Sequence, residues 1–588
     1  MTFGVSYRII CLQIIQIHGG FNMKKVISII LCFVLVIGTA VPAFARETGS
    51  DLKSSVPVIY ISGDSNTLTY DNGTKTFEID DMLKIFKNSE DGNISEAAFN
   101  ILRPFLIKGI VFNDWDDYYD AVYKEFSDVY KPIMLDENGN PNTDCDIPQW
   151  QKNDKLNAMT YNRADANGTY GEKTYQFYYD WRLDPIEIAD QLHEYIEGVK
   201  KASGHDKVSL SIKCLGSNIV LAYIQKYSTE SLKGVGIDVS TSMGANFLSG
   251  ILSGEFGIDG NSISRLANEL AGKHDDEGIY IDLVRFATST IDLLESTGVI
   301  DTLTDVAKAK LYSKIEYGII SALALSTFMT FPGYWALVEV DDFDKALTYV
   351  FGKEGSEKRI KYKGLIDKIT NYNETIKKNV YPIMQKLEDN GVNICVISKY
   401  GTQMVPILKD GSILGDEYVS AYNSSFGATT STIYDTLSDE YIAGQIEKGL
   451  GRYISPDKHI DASTCLFPDY TWFFKGVSHG YYSTPEVDLI MKVIDADRQL
   501  TVNDFDLTQF IVYDYPTHTA SPMTENNCQD VYWTADAEVD RPQTQNQKIR
   551  AIIKTFMSWL TNMFKMFTSI LTGKLNIGDI SKEIEDHN

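Results

Sequence analysis

Two rhythms of apolar and polar positions alternate through the first half of the chain. The run "VPVIYIS" at 56–62 is β-branched and apolar and is closed by Gly63, the pattern of a buried strand. "KTYQFYYDWRL" at 173–183 is aromatic-rich and alternating, and predicts a second strand. Across 185–203 the apolar residues recur at helical spacing, with Asp184-Pro185 as a start signal and Gly204 as a stop. "KVSLSI" then predicts a strand, the residues after it a helix, and "GVGIDVSTS" another strand. Strand and helix in that order predict an α/β fold whose mostly parallel sheet is covered on both faces. Ligands on such sheets sit at the carboxyl ends of the strands.

The rhythm changes after about Gly244. Three helical patterns, "SISRLANELAGK", "GIYIDLVRFATSTIDLLES" and "DTLTDVAKAKLYSKIEYGIISALALSTFMTF", fill the stretch to about Leu387, and a strand returns with "GVNICVISKYG". A helical insertion between two halves of a sheet is expected to form a cap over the site. Its segment 318–338 has the hydropathy of a membrane span, but Ser321, Ser326, Thr327, Thr330 and Pro332-Gly333 interrupt it, which favours a buried cap helix and loop. The expected organisation is core at 46–245, helical cap at 246–387, core again at 388–500, and an extension at 501–545. An amphipathic helix at 546–572 follows, with Ile549, Ile553, Phe556, Leu560, Met563 and Phe567 on one stripe and Lys548, Arg550, Lys554 and Lys565 beside it. Packing on the protein's own body is its commoner fate; contact with a membrane surface is the alternative.

The start of the chain bears on location. "MKKVISIILCFVLVIGTAVPAFARE", from Met23, has two lysines, an apolar run, and the small-x-small site Ala43-Phe44-Ala45. That is the layout of a cleavable signal peptide over 23–45, so a secreted protein is expected, with Met23 as the start and 1–22 as a misassigned leader. A net charge of −26 argues against a nucleic-acid partner, whose phosphates need Lys and Arg. Cys11 and Cys32 leave with the signal, and Cys145, Cys214, Cys395, Cys465 and Cys528 remain, with no C-x-x-C or metal-like spacing. Cys395 lies in an apolar strand pattern and reads as core. The pairing of Cys145, Cys465 and Cys528 is left open, and Cys214 is nominated as the free thiol.

"KVSLSIKCLGSNIVLAYI" carries the chemistry. A strand runs into a tight turn and a helix, as in the G-x-S-x-G elbow that exposes a nucleophile, with Cys214 at the serine position, Gly216 present and Ile212 where the first Gly would be. Alone, this pattern is more often a buried Cys in an ordinary turn. Further on, "SPDKHIDASTCLFPDYTWFFKGVSHG" offers Asp457 in a turn, then a strand, then His479: an acid and a base in nucleophile, acid, base order. Asp461 and Asp469 are rival acids, and His459 a rival base that reads as a surface residue. The loop after "VPVIYIS" can supply one oxyanion donor, at Asp64 or its neighbour, and the amide of Leu215 the other. Ser242, in "STSMG", is a second candidate nucleophile but comes one strand late.

The run "YYDWRLDP" resembles the Tyr-Asp-Trp-Arg-Leu motif of the lecithin:cholesterol acyltransferase family of secreted and lysosomal α/β-hydrolases. "PVIYISGDSNTL" is similar to that family's oxyanion loop, "KVSLSIKCLGSNIVLAYI" to its elbow and "FPGYWALV" to its cap segment. The resemblance spans about 56–494. It implies an α/β-hydrolase fold with a large helical cap, and no cofactor or metal. It implies a Cys214, Asp457, His479 triad acting on lipid or other acyl esters, with Asp64 and Leu215 holding the oxyanion. Trp181, Tyr334 and Trp335, with Phe331, are expected to line an acyl pocket, and Asp180 and Arg182 to form a buried pair. The departures, Cys214, Lys213 and Ile212, fall at the reactive centre. A nearby Lys213 cation is expected to favour the thiolate. Polyhydroxyalkanoate synthases, with Cys in a lipase-like box, resemble this arrangement. The rival readings are an inactive hydrolase scaffold that binds lipid or surface glycan, and a serine hydrolase running on Ser242.

Overall fold

The short apolar runs become strands of one sheet in the computed structural model, which describes mainly residues 56–76, 113–148, 174–256 and 320–528, with short gaps. The signal segment, the helical patterns at 262–296, the amphipathic helix at 546–572 and Asp64 lie outside the described residues. The strands are β1 Val58–Ile61, β2 Thr174–Phe177, β3 Val208–Lys213, β4 Leu232–Asp238, β5 Asn393–Tyr400, β6 Thr471–Lys475, β7 Phe510–Asp514 and β8 Thr519–Pro522. Their spatial order is β2-β1-β3-β4-β5-β6-β7-β8. Every neighbouring pair is parallel except the last, β7 with β8. This is an α/β architecture with a mostly parallel central sheet. It runs on past residue 500, because the short pattern "FIVYD" buries Phe510 and Ile511 and pairs with β6.

Helices cover both faces. Among them are α1 Pro185–Ser203, α2 Gly216–Tyr227, α3 Asn246–Ser253, α4 Phe343–Phe351, α5 Lys363–Thr375, α6 Val380–Asp389 and α7 Thr484–Asp495. The sheet's period of two splits the core: Ile59, Ile61, Leu210, Ile212, Val235 and Ile237 pack with α1 and α2, while Val58, Tyr60, Ile397, Trp472 and Phe474 pack with α7. Helix α1 begins and ends where its punctuation predicts. The Asp184 side chain accepts from the Ile186 amide at 3.0 Å, and Gly204 closes the helix at φ +71°. On the opposite face α7 lies directly on β4, because a Cβ on Gly234 would stand 2.3 Å from the Ile494 carbonyl oxygen.

Between β4 and β5 the chain forms α3 to α6 and shorter turns, so the described part of the expected cap is helical. The segment with the hydropathy of a membrane span is broken into a π turn at Leu323–Thr327, a 3-10 turn at Phe328–Thr330 and the short helix Pro332–Trp335, all packed into the body. Ser326 Oγ donates back to the Ala322 carbonyl at 2.5 Å, competing with helix propagation. Among the described residues no helix is long and apolar enough to cross a membrane.

Candidate active site

Strand β3 ends at Lys213, and the next residue takes a conformation that side chains resist. Cys214 has φ +49°. Leu215 then returns to helical angles, and α2 starts at Gly216. The turn is closed by the Ser217 amide donating to the Cys214 carbonyl at 2.9 Å. Positive φ in a non-glycine residue costs about 1–2 kcal/mol, and such strain gathers at functional sites. Gly216 is required here: a Cβ on it would stand 2.9 Å from Ile61 Cγ2, from the Ile61 carbonyl oxygen and from that of Ser62. Ile212 is tolerated at the other flank because it pairs with Ile61 and Ile237 inside the apolar face. Cys214 is partly exposed among buried neighbours.

The loop after β1 comes down on this turn. A Cβ built on Gly63 would lie 3.2 Å from Cys214 Cβ, 3.6 Å from its Sγ and 3.8 Å from the Leu215 nitrogen. Gly63 therefore leaves room over the sulfur for a small atom. Tyr179, from "YYDWRL", places its hydroxyl 2.6 Å from the Ser62 carbonyl and 2.7 Å from that of Gly63, pinning the loop. The next residues of that motif are structural. Arg182 is fully buried, reaches both Asp180 oxygens at 2.9 and 2.6 Å, and donates to the carbonyls of Ile133 and Cys145. The expected Asp180–Arg182 pair is thus formed.

His479 follows β6 on the same carboxyl edge. Its partner is Asp416, in the long connection after β5. His479 Nδ1 and Asp416 Oδ2 are 2.9 Å apart, the His479 amide donates to the Asp416 carbonyl at 3.1 Å, and the Tyr418 ring stands edge-on to the imidazole at 5.2 Å. Asp416 is fully buried and also accepts from the Val419 amide at 2.9 Å. With Nδ1 engaged, Nε2 is the nitrogen left for proton transfer.

Asp457 does not meet His479. Its Oδ2 accepts from Lys475 Nζ and from the Tyr400 hydroxyl, each at 2.9 Å, and its Oδ1 from Ser455 Oγ at 2.6 Å. Although burial opposes its ionisation, the Lys475 ammonium and the Ser455 hydrogen bond hold its carboxyl below the ordinary aspartate range. The expected triad acid is thereby corrected: Asp457 belongs to a buried ion pair. The rivals are taken as well, Asp461 by Tyr441 and Gln445, and Asp469 by Arg452 and Tyr453. His459 is buried rather than solvated, with Nδ1 2.7 Å from Ser431 Oγ.

The expected pocket divides. Trp181 and Tyr334 do meet, stacked with ring centres 5.1 Å apart, and Phe331 stands edge-on to both. Trp335 is corrected from pocket to cap interior: its ring packs on Phe351 and Phe343, and its Nε1 donates to the Met329 carbonyl at 2.9 Å. Ser242 is buried in a turn fastened to α2 through Ser240, Thr241, Ser217 and Asn218, and the left-handed residue after β4 is Val239, not Ser242. Among the described residues Cys395 and Cys465 are buried free thiols.

Beneath Cys214 lies a buried charge cluster. Lys213 Nζ is 3.6 Å from Asp238 Oδ2, and Lys399 Nζ from β5 is 3.0 Å from the same oxygen and 3.0 Å from Glu486 Oε1 of α7. Desolvation, followed by repulsion from Lys399, pushes the Lys213 ammonium down to about 8. Burial opposes the charge on Lys399, yet Asp238 and Glu486 outweigh it and hold that lysine above its ordinary value.

No family model matches this chain, and no curated protein matches it. Among solved structures, a chain of "The crystal structure of Tle4-Tli4 complex" is similar at 13% identity, over 58% of this chain and 75% of that one, with a TM-score of 0.21. A likeness that loose carries no argument about this site.

Proposed function

We propose that this protein is an exported α/β-hydrolase-type enzyme, an O-acyltransferase or ester hydrolase for lipid or related acyl esters. Cys214 is its nucleophile, His479 its base and Asp416 the residue that orients the base. The observation that carries this reading is the strained Cys214 turn on the sheet edge that also bears the Asp416–His479 pair. The strand order agrees with it, since Cys214, Asp416 and His479 follow β3, β5 and β6, which is the nucleophile, acid, base chain order of hydrolases of this type. The resemblance of "YYDWRLDP" and its neighbours to the lecithin:cholesterol acyltransferase family supplies the substrate class.

In this mechanism His479 Nε2 takes the thiol proton to form a thiolate–imidazolium pair, and the thiolate attacks the ester carbonyl. The oxyanion that forms is held by the Leu215 amide and by the loop beginning at Gly63, where the sequence places Asp64. Asp416 keeps the imidazole's Nδ1 protonated and stabilises the imidazolium. Collapse breaks the ester C–O bond, the leaving alcohol takes the proton from His479, and a thioester remains on Cys214. An acceptor alcohol or water, deprotonated by His479, then releases the acyl group and restores the thiol.

The test is intact-mass analysis after incubation with mixed lipid esters. An acyl-sized adduct that maps to Cys214 and is lost in Cys214→Ser and His479→Ala is expected. An adduct on Ser242 would establish the serine alternative. No adduct, together with retained binding of lipid vesicles, would establish the inactive binder.

A further inference from the structure

Strand β3 is wholly buried, yet it alternates apolar Val208, Leu210 and Ile212 with polar Ser209, Ser211 and Lys213. A fully covered strand of a parallel sheet is ordinarily apolar on both faces. The polar set faces one segment of chain. Ser209 Oγ donates to the Ile494 carbonyl at 3.2 Å, and Ser211 Oγ lies 3.3 Å from the Tyr482 hydroxyl. Lys213 Nζ donates to the carbonyls of Gly480 and Tyr481, at 3.2 Å each, with the Tyr482 ring 5.1 Å away. That segment begins immediately after His479. The residue before the nucleophile therefore grips the two residues after the base. Lys399 reinforces the grip, donating to the same Tyr481 carbonyl at 2.7 Å.

We infer that Lys213 is a positioning residue: by clamping the backbone at Gly480 and Tyr481 to the end of β3, it sets where the His479 imidazole stands relative to Cys214. The inference rests on the proposed Cys–His reading and adds to it. The geometry matters because general-base catalysis needs the nitrogen within about 3 Å of the sulfur, and a misplacement of about 1 Å can cost about a hundredfold. A merely structural buried cation behaves differently. Its removal costs stability where a buried partner is left uncompensated, but leaves the reactivity of a neighbouring thiol in the folded protein unchanged.

The experiment is the rate of Cys214 alkylation by iodoacetamide across pH 5 to 9, read by peptide mass mapping so that the other cysteines are scored separately. In wild type, a thiolate paired with His479 is expected to react well below the ordinary thiol range, and His479→Ala to abolish that acid shift. Lys213→Met is expected to remain folded and to react at least tenfold more slowly at pH 6, with Lys213→Arg recovering part of the rate. Wild-type rates in a folded Lys213→Met protein overturn the inference while leaving the Cys–His reading intact. An acid shift missing already in wild type, or unaffected by His479→Ala, defeats the Cys–His reading itself and the inference with it. Should Lys213→Met fail to fold, Lys213→Gln keeps a polar donor but shortens the reach to the Gly480 and Tyr481 carbonyls, and is expected to slow the pH 6 reaction at least threefold. An unchanged profile in that variant also overturns the inference.

Discussion

Replacing Asp416 by Asn removes one charge and almost no volume, and so separates chemistry from packing. Asp416 Oδ2 stands 2.9 Å from His479 Nδ1, while Oδ1 accepts from Val419 at 2.9 Å and Tyr418 at 3.3 Å. An Asn that keeps its oxygen on the two backbone amides must point its NH2 at Nδ1. The imidazole then carries its proton on Nε2, the nitrogen that should accept from sulfur. Loss of the correct tautomer is worth about 10⁴ in rate in hydrolytic triads, or about 5 kcal/mol of barrier. The stability loss should be smaller, about 1–2 kcal/mol for weakened hydrogen bonds. Asp457→Asn should show the reverse. It leaves the Lys475 ammonium, only 5% exposed, facing an amide oxygen in place of a carboxylate, and breaking a buried pair costs about 3–5 kcal/mol. Burst acylation of Cys214 by an activated ester, measured beside urea melts, reads both quantities. If Asp457→Asn loses acylation as steeply as Asp416→Asn while still folded, the assignment of Asp416 is wrong.

Three further outcomes are expected. Gly216→Ala drives a methyl to 2.9 Å from the carbonyl oxygens of Ile61 and Ser62, so the folded state should lose about 3 kcal/mol or more, seen as a fall in urea midpoint. Gly63→Ala places its methyl 3.2 Å from Cys214 Cβ and 3.6 Å from Sγ. It should leave the melting temperature within a few degrees yet slow ester acylation by about a hundredfold, because it fills the space an oxyanion needs. Asp184 is buried, and desolvation pushes its carboxyl from 3.8 up to about 6. The folded state then binds more protons than the unfolded between those values, so this group's contribution is full below about pH 4 and is lost as pH rises through about 6. Asp184→Asn keeps the cap on Ile186. It should raise stability relative to wild type at pH 7.5, with the difference vanishing near pH 4, as followed by thermal melts.

Much of the framework was legible in local chemistry. The strands β1 to β6, helix α1 with its Asp184 cap and Gly204 stop, and the turn at Cys214 all follow from period and punctuation, because such signals act over a few residues. The placement of His479 at the sheet's carboxyl edge was legible too, as a histidine directly after an apolar strand. Its carboxylate partner was not. The connection from β5 to β6 contains Asp410, Asp416, Asp435, Asp439, Asp457, Asp461 and Asp469, and each sits in a polar turn that looks alike in one dimension. Strand order narrowed the choice to that connection and no further.

Contact across the fold made the selection, since an aspartate's role depends on which distant side chain shares its buried space. Lys475 lies 18 residues beyond Asp457 and claims it, and His479 lies 63 residues beyond Asp416 and claims that. The same holds for Lys213: one letter before the thiol, it reads as a cation for Cys214, while the fold turns its ammonium onto carbonyls more than 260 residues away. Sequence alone determined which segments become strands and where the strained turn falls, because backbone preferences and hydrophobic period are local. Only tertiary structure decided which charges neutralise one another, because burial removes the water that would otherwise leave every pairing nearly equal.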